Sequence, residues 1–431
     1  MASAGRLWLG NHQALTEVIW AEDGVFPLCV AKAGFATCLV DPFAGYLLVL
    51  PRLLAGIVAL LPVSSWALAT NILAALLAGL VCGFSFAWAR RFGAGWVAAL
   101  AIGLLPVLAP VVGFEAINAL GSSYMLLLYA STLILVMPRS AAAASGVSEP
   151  DGPGSADAWR WPGIGAVAAL LLLTALTIPT AGVFLALIAV QAVRRAISQQ
   201  AAIAWVAAIA LGLLAQWLTA INATKPRVIE ASADSFGTWL GSLPDTVLTY
   251  WPGMRLGDYD FVGVFPVVAS PLSGVLVALA LVVGGGVLVV RGRDRSVAIG
   301  LLLLTGVVVG AVPTIIGGPN NRYFVVPALL WGAAAVQALD PLIRRARWWV
   351  VGLVVALIAV IWWPMIPARP FRADPAPPWT DEVARVTAKC QADPGFTERL
   401  IFSPYWPPNW GDALAEPTHP DVPCLVVWKW R

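Results

Sequence analysis

Long apolar runs, repeated along almost the whole chain, restrict this sequence to a membrane-embedded helical fold. A helix needs about 20 mainly apolar residues to cross the hydrocarbon core, where every backbone polar group must find its partner inside the segment. The first convincing run covers 64–89 and stops at Arg90-Arg91. Others follow near 93–112, 121–138, 162–179, 182–197, 201–220, 264–290, 297–316, 323–340 and 348–366, ten in all. Charged residues make up 11% of the chain, against about 25% in a soluble globular protein. The fold class expected is therefore an all-α polytopic membrane protein.

Basic residues test this assignment, because cytoplasmic loops of membrane proteins are enriched in Lys and Arg. Arg90-Arg91, Arg139 with Arg160, Arg194-Arg195, the run Arg291, Arg293, Arg295 and the run Arg344, Arg345, Arg347 fall on every second connection. One orientation satisfies all five. The net charge is only +3 and its basic residues lie in short clusters between spans, which argues against nucleic acid as a partner and for a role in topology.

In that orientation both ends of the chain face outward. The outer parts are 1–63, 113–120, a tight turn at Pro179-Thr180-Ala181, a long loop over 221–263, 317–322 and a tail over 367–431. This divides the chain into a first outer region, 1–63, a transmembrane domain, 64–366, and a small extracytoplasmic C-terminal region, 367–431. The segment 46–61 is apolar but short, and it carries Pro51 and Arg52. It reads as an interfacial or re-entrant helix on the outer side, since counting it as a crossing would turn the start of the chain inward. Residues 140–159, rich in Ala, Ser, Gly and Pro, read as a cytoplasmic linker. Residues 1–19 form neither a signal peptide nor a span, so an eleventh helix upstream of this sequence is expected.

Within so apolar a chain the adjacent carboxylates of Trp20-Ala21-Glu22-Asp23-Gly24 stand out. A general base must be ionised, close to the reacting proton and partly shielded from water, and an acid pair in the first outer loop meets the first requirements. Gly24 beside them would let the backbone turn sharply or approach a substrate. The bland alternative is a surface helix whose acids are solvated or cap its start. On the same face lie Tyr46, Arg52, Glu115 and Asn118, and Arg322-Tyr323 opens a later span. Arginines at such a face could hold a lipid-linked phosphate bidentately, or snorkel toward headgroups.

Cys29 and Cys38 fall in the first outer region, Cys390 and Cys424 in the outer tail, and Cys82 inside a span. An oxidising exterior makes a Cys390–Cys424 disulfide closing the tail the expectation, with Cys29–Cys38 either bridged or buried as small apolar residues. With His12 and His419 as the only histidines, no Cys/His cluster has metal-ligand spacing.

Taken together, Trp-Ala-Glu-Asp-Gly, Gly45-Tyr46 with Pro51-Arg52-Leu53, Asn118 ahead of Tyr124, and Arg322-Tyr323-Phe324-Val325-Val326-Pro327 resemble the GT-C class of membrane glycosyltransferases, in an actinobacterial form. The scarcity of lysine beside abundant Arg, Ala and Gly suits a G+C-rich bacterial genome. The resemblance implies a polyprenyl-phosphate sugar donor, a cell-envelope glycan or lipid acceptor, inversion at the sugar carbon, and a site on the outer face of the bacterial plasma membrane. Carried over, Asp23 or Glu22 is the catalytic base, and Arg52, Tyr46, Glu115, Asn118, Arg322 and Tyr323 surround substrate and phosphate. Members differ in using a divalent cation, and this sequence requires no cofactor. Two other classes compete: a glycolipid transporter or flippase, and a non-catalytic scaffold. A transporter places ionisable groups within its spans, whereas the spans here look nearly free of polar residues.

Overall fold

A computed structural model describes residues 14–19, 21–43, 45–108, 119–136, 161–223, 271–292, 294–317, 324–346, 348–349, 378–393, 397–399 and 421–424, together with 237, 240, 243 and 352. Described elements run in this order: α1 (Ala21–Ala33), α2 (Phe35–Val40), α3 (Val49–Val58), a 3₁₀ turn (Val63–Ser65), α4 (Trp66–Arg91), α5 (Trp96–Leu108), α6 (Tyr124–Val136), α7 (Trp161–Thr177), a 3₁₀ turn (Pro179–Gly182), α8 (Val183–Val193), α9 (Gln199–Asn222), α10 (Pro271–Arg291), α11 (Asp294–Gly317), α12 (Val325–Arg345), α13 (Trp379–Ala392), β1 (Thr397–Arg399) and β2 (Asp421–Pro423). Each expected span from 64–89 through 323–340 holds a helix. Among the described residues, five helical segments are both long enough and apolar enough to cross a membrane: Val63–Arg91, Gln199–Asn222, Gly274–Arg291, Arg295–Pro313 and Val325–Arg345. α5, α6, α7 and α8 are apolar but shorter. The expected span 348–366 lies almost wholly outside the described residues.

α4 shows how these helices are built. It buries Trp66, Ala67, Thr70, Asn71, Ala74, Ala78, Val81, Ser85 and Ala89 at helical spacing, so its packed face is made largely of small residues that let neighbours approach. Its other face carries Leu68, Ile72, Leu76 and Leu80, all exposed. An outward leucine stripe on a helix about 39 Å long is suited to lipid and ill suited to water. The same close approach recurs between α7 and α9, where a Cβ added to Gly212 would sit 2.5 Å from the Ala175 Cβ.

α6 is different: all of Tyr124 to Val136 is buried. A helix apolar on every side belongs in the middle of a bundle, and α4, α7, α8, α11 and α12 all pack on it. It is the axis of the fold.

Turns then sort the bundle into two ends. At one end α4 runs into α5, α8 into α9 and α10 into α11, and α12 finishes. Described members of the basic clusters gather here, and some are held by contacts between helices: Arg194 Nη1 donates to the Val289 carbonyl at 3.2 Å, and Arg344 Nη2 to that of Gly93. Asp340, wholly buried, accepts from Arg295 and Arg344 and from the Gly95 amide at 3.0 Å, joining α11, α12 and the start of α5.

At the other end sit α1, α2, α3, the start of α6, the Pro179–Gly182 turn and the C-terminal elements. α3 is 10 residues long, about 15 Å, and it enters as a docked short helix, with Pro51 in the first turn where its missing N–H costs nothing. The tail packs on the first region: the Trp379 amide donates to the Glu17 carbonyl at 2.8 Å, and its indole Nε1 to that of Val63 at 2.9 Å. β1 and β2 pair antiparallel, and the Cys390–Cys424 disulfide ties α13 beside them.

Candidate functional site

Glu22 and Asp23 occupy the first turn of a helix, where a loop was expected, and Gly24 is helical with no positive φ. The reason lies in the carboxylate. Acids favour a helix N-terminus, where N–H groups point outward, and Asp23 is also tethered from outside. Asp23 is 1% exposed; its Oδ2 accepts the Leu120 amide and its Oδ1 the Gly121 amide, both at 2.7 Å. These are charge-assisted bonds, short and directional. They lock the acidic turn to the segment that leads into α6, so neither a solvated acid nor a simple cap of its own helix describes Asp23.

Two buried hydroxyls follow this segment. Among the described residues Ser122 Oγ and Ser123 Oγ find no hydrogen-bond partner, although both are enclosed. The backbone around them is in order, with the Ser123 amide on the Leu120 carbonyl at 3.0 Å and the Leu127 amide on the Ser123 carbonyl at 3.2 Å.

Arg52 does not snorkel. It is 2% exposed, its Nη1 donates to the Cys38 carbonyl, its Nη2 lies 3.8 Å from Asp41 Oδ2, and its guanidinium sits 5.4 Å from the centre of the Phe26 ring. Phe26 and Phe43 meet edge to face at 5.4 Å, and Phe43 and Tyr46 at 6.5 Å. Phe43 and Tyr46 also exchange both backbone hydrogen bonds, at 2.9 and 3.1 Å, around a positive-φ Gly45. A Cys29–Cys38 disulfide fastens α2 to α1 beneath this cluster. The cation is therefore fixed between the Phe26 ring, a carbonyl and a carboxylate.

Sequence reasoning missed what holds α3 in place. Gln216 on α9 accepts the Leu47 amide at 2.8 Å and donates to the carbonyls of Leu47 and Ala175 at 3.1 Å each. Thr177, at the end of α7, accepts the Leu50 amide at 3.2 Å. Asn71 on α4 donates to the carbonyls of Leu15 and Val18 at 3.1 and 2.8 Å, anchoring the residues ahead of α1. The expectation of spans nearly free of polar groups is thus corrected. Asn71, Ser131, Thr174, Gln191 and Gln216 are buried inside them, and except for the Ser131–Thr174 pair their bonds go to backbone. A lone Asn or Gln within an apolar run was the signal available.

The structure thus brings Asp23, Tyr46 and Arg52 to one end of the bundle, with Glu22 in the same helical turn as Asp23. Glu115, Asn118, Arg322 and Tyr323 lie outside the described residues. Among the described residues no group of three or more His, Cys, Asp or Glu side chains gathers as a cation site. No protein family, curated protein or solved structure matches this chain.

Proposed function

We propose that the chain is an integral-membrane inverting glycosyltransferase of the GT-C type. It moves a sugar from a polyprenyl-phosphate donor to a cell-envelope glycan or lipid, on the outer face of a bacterial plasma membrane. The observation that carries the reading is the Asp23 tether, which holds an acidic helical turn against the entrance to the central helix, at the end opposite the basic clusters of the helix turns.

In this reading the two acids divide the work. Asp23 has both oxygens committed to backbone amides and acts as a positioning residue. Glu22, next to it, is the base. As the acceptor hydroxyl oxygen attacks the anomeric carbon, the bond from that carbon to the donor phosphate breaks, and its electron pair leaves with polyprenyl phosphate. The hydroxyl proton passes to Glu22, and back-side attack inverts the centre. Arg52, shielded from solvent, stiffens this end of the bundle, and phosphate binding falls to Arg322. The confinement of polyprenyl phosphate to the bilayer explains why such chemistry would sit where helices end. Against the transporter reading, buried polar side chains of the described spans are uncharged apart from Asp340, which is paired near the helix end.

The test is transfer from a panel of radiolabelled polyprenyl-phosphate sugars to envelope lipids, by membranes carrying wild type or Glu22→Gln. Label in product with wild type and at least a hundredfold less with Glu22→Gln supports the transferase. Equal transfer by both removes Glu22 from the chemistry, and no transfer from any donor sends the protein to the transporter or scaffold class.

A further inference from the structure

The arginine end of the bundle carries more positive charge than its packing uses. Arg90 donates to the Ala94 carbonyl at 2.7 Å, Arg194 to that of Val289, and Arg295 and Arg344 close on Asp340. Arg90 closes the turn after its own helix, and the other three guanidiniums join helices. Arg91, Arg195, Arg291 and Arg345 are all exposed, and among the described residues none of their side chains makes a hydrogen bond or ion pair. They finish α4, the α8–α9 turn, α10 and α12, so they stand around the rim of one end. Arg195 holds its side chain out from a backbone with φ 55°, a conformation uncommon outside glycine.

The same rim carries large exposed aromatics. Trp96, at the start of α5, is 62% exposed, and Trp348 and Trp349, just past Arg345, are 85% and 51% exposed. Tryptophan settles at the level of lipid headgroups, which sets the depth of these four exposed arginines. A guanidinium there meets phosphate, and its planar fork binds two phosphate oxygens at once.

We propose that Arg91, Arg195, Arg291 and Arg345 form a binding collar for anionic phospholipid headgroups, which selects acidic lipid as the annulus at this end of the protein. Each arginine near an anionic surface contributes about a fivefold preference, and the four stand at the ends of different helices around the rim. The bundle itself is held by the other four arginines, so the collar is separable from the fold.

The protein is purified in a mild detergent, exchanged against an equimolar mixture of phosphatidylcholine, phosphatidylglycerol and cardiolipin, and its retained lipid is counted by mass. Wild type is expected to retain acidic lipid over phosphatidylcholine by at least tenfold, and R91Q/R195Q/R291Q/R345Q by less than twofold. The R91K/R195K/R291K/R345K variant keeps the charge and most of the preference, and it serves where the glutamine variant inserts or folds poorly. Unfolding temperatures in pure phosphatidylcholine nanodiscs should agree within about 2 °C among all three. Equal enrichment in wild type and glutamine variant, or no enrichment in wild type, overturns the proposal. A free-phosphate site is the other source of the same chemistry. Stabilisation by millimolar inorganic phosphate beyond sodium chloride of equal ionic strength would establish that source and overturn the lipid one.

Discussion

Asp23 Oδ1 accepts the Gly121 amide at 2.7 Å across 98 residues of sequence, and Oδ2 accepts the neighbouring Leu120 amide at the same distance. The acid pair of the first region and the head of the central helix therefore move as one piece. Anything that loosens this joint disturbs α6, against which α4, α7, α8, α11 and α12 pack.

Replacing Asp23 consequently tests the joint before it tests chemistry. Asp23→Ala leaves two buried amides without partners, at about 1–3 kcal/mol each. Asp23→Asn keeps one acceptor but turns an NH₂ toward an N–H. Thermal unfolding in nanodiscs should rank wild type above Asp23→Asn, and Asp23→Asn above or equal to Asp23→Ala.

Gln216 is the corresponding latch for α3. Gln216→Leu preserves apolar volume in α9 while stripping the Leu47 amide of its partner, at about 1–3 kcal/mol. The expected outcome is local: hydrogen exchange speeds up over 47–50 while α4 and α6 keep their protection. Uniform exchange across the chain would mean that α3 is not an independent docking element.

The Asp340 cluster should behave as a clamp. Asp340 is buried, yet its partners Arg295 and Arg344 have side chains 36% and 47% exposed, so they can return to water when the acid is removed. Asp340→Asn is expected to cost about 1–3 kcal/mol, below the range for a fully buried ion pair. The contact it weakens is that of α12 with α5 and α11. Hydrogen exchange at the Gly95 amide, which donates to Asp340, should speed up in the Asp340→Asn variant while α6 keeps its protection.

Both disulfides can be counted directly. Five cysteines are present, and Cys29–Cys38 and Cys390–Cys424 pair four of them, with Cys82 free. Maleimide labelling of unfolded, unreduced protein should add one label, and five after reduction. Loss of the Cys390–Cys424 bridge, which spans 34 residues, should cost about 3–4 kcal/mol of tail stability by the chain-entropy relation.

Helix positions were legible because run length is a direct image of bilayer thickness, and α4 lies within two residues of the run that announced it. Pro51 and Arg52 likewise marked α3 as too short and too polar to cross. The central place of α6 was not legible: lipid tails and protein interiors select the same residues, so Tyr124–Val136 looks like any lipid-facing helix. Nor were the partners of Asp23. Backbone amides carry no side-chain signature, and the pairing joins places 98 residues apart. Arg52 misled in the same way, because an arginine at an interface reads identically whether it faces headgroups or, as here, the Phe26 ring and the Cys38 carbonyl.

The central claim is the division of labour between two adjacent acids, and turnover per folded molecule measures it most directly. Glu22→Gln and Asp23→Asn are compared with wild type for unfolding temperature and for label transfer from the accepted donor, normalised to folded protein. The account predicts that Glu22→Gln keeps the wild-type unfolding temperature and loses at least a hundredfold in transfer. Asp23→Asn should lose stability while its folded fraction keeps measurable turnover. The reverse pattern, an inactive but fully stable Asp23→Asn beside an active Glu22→Gln, would contradict it.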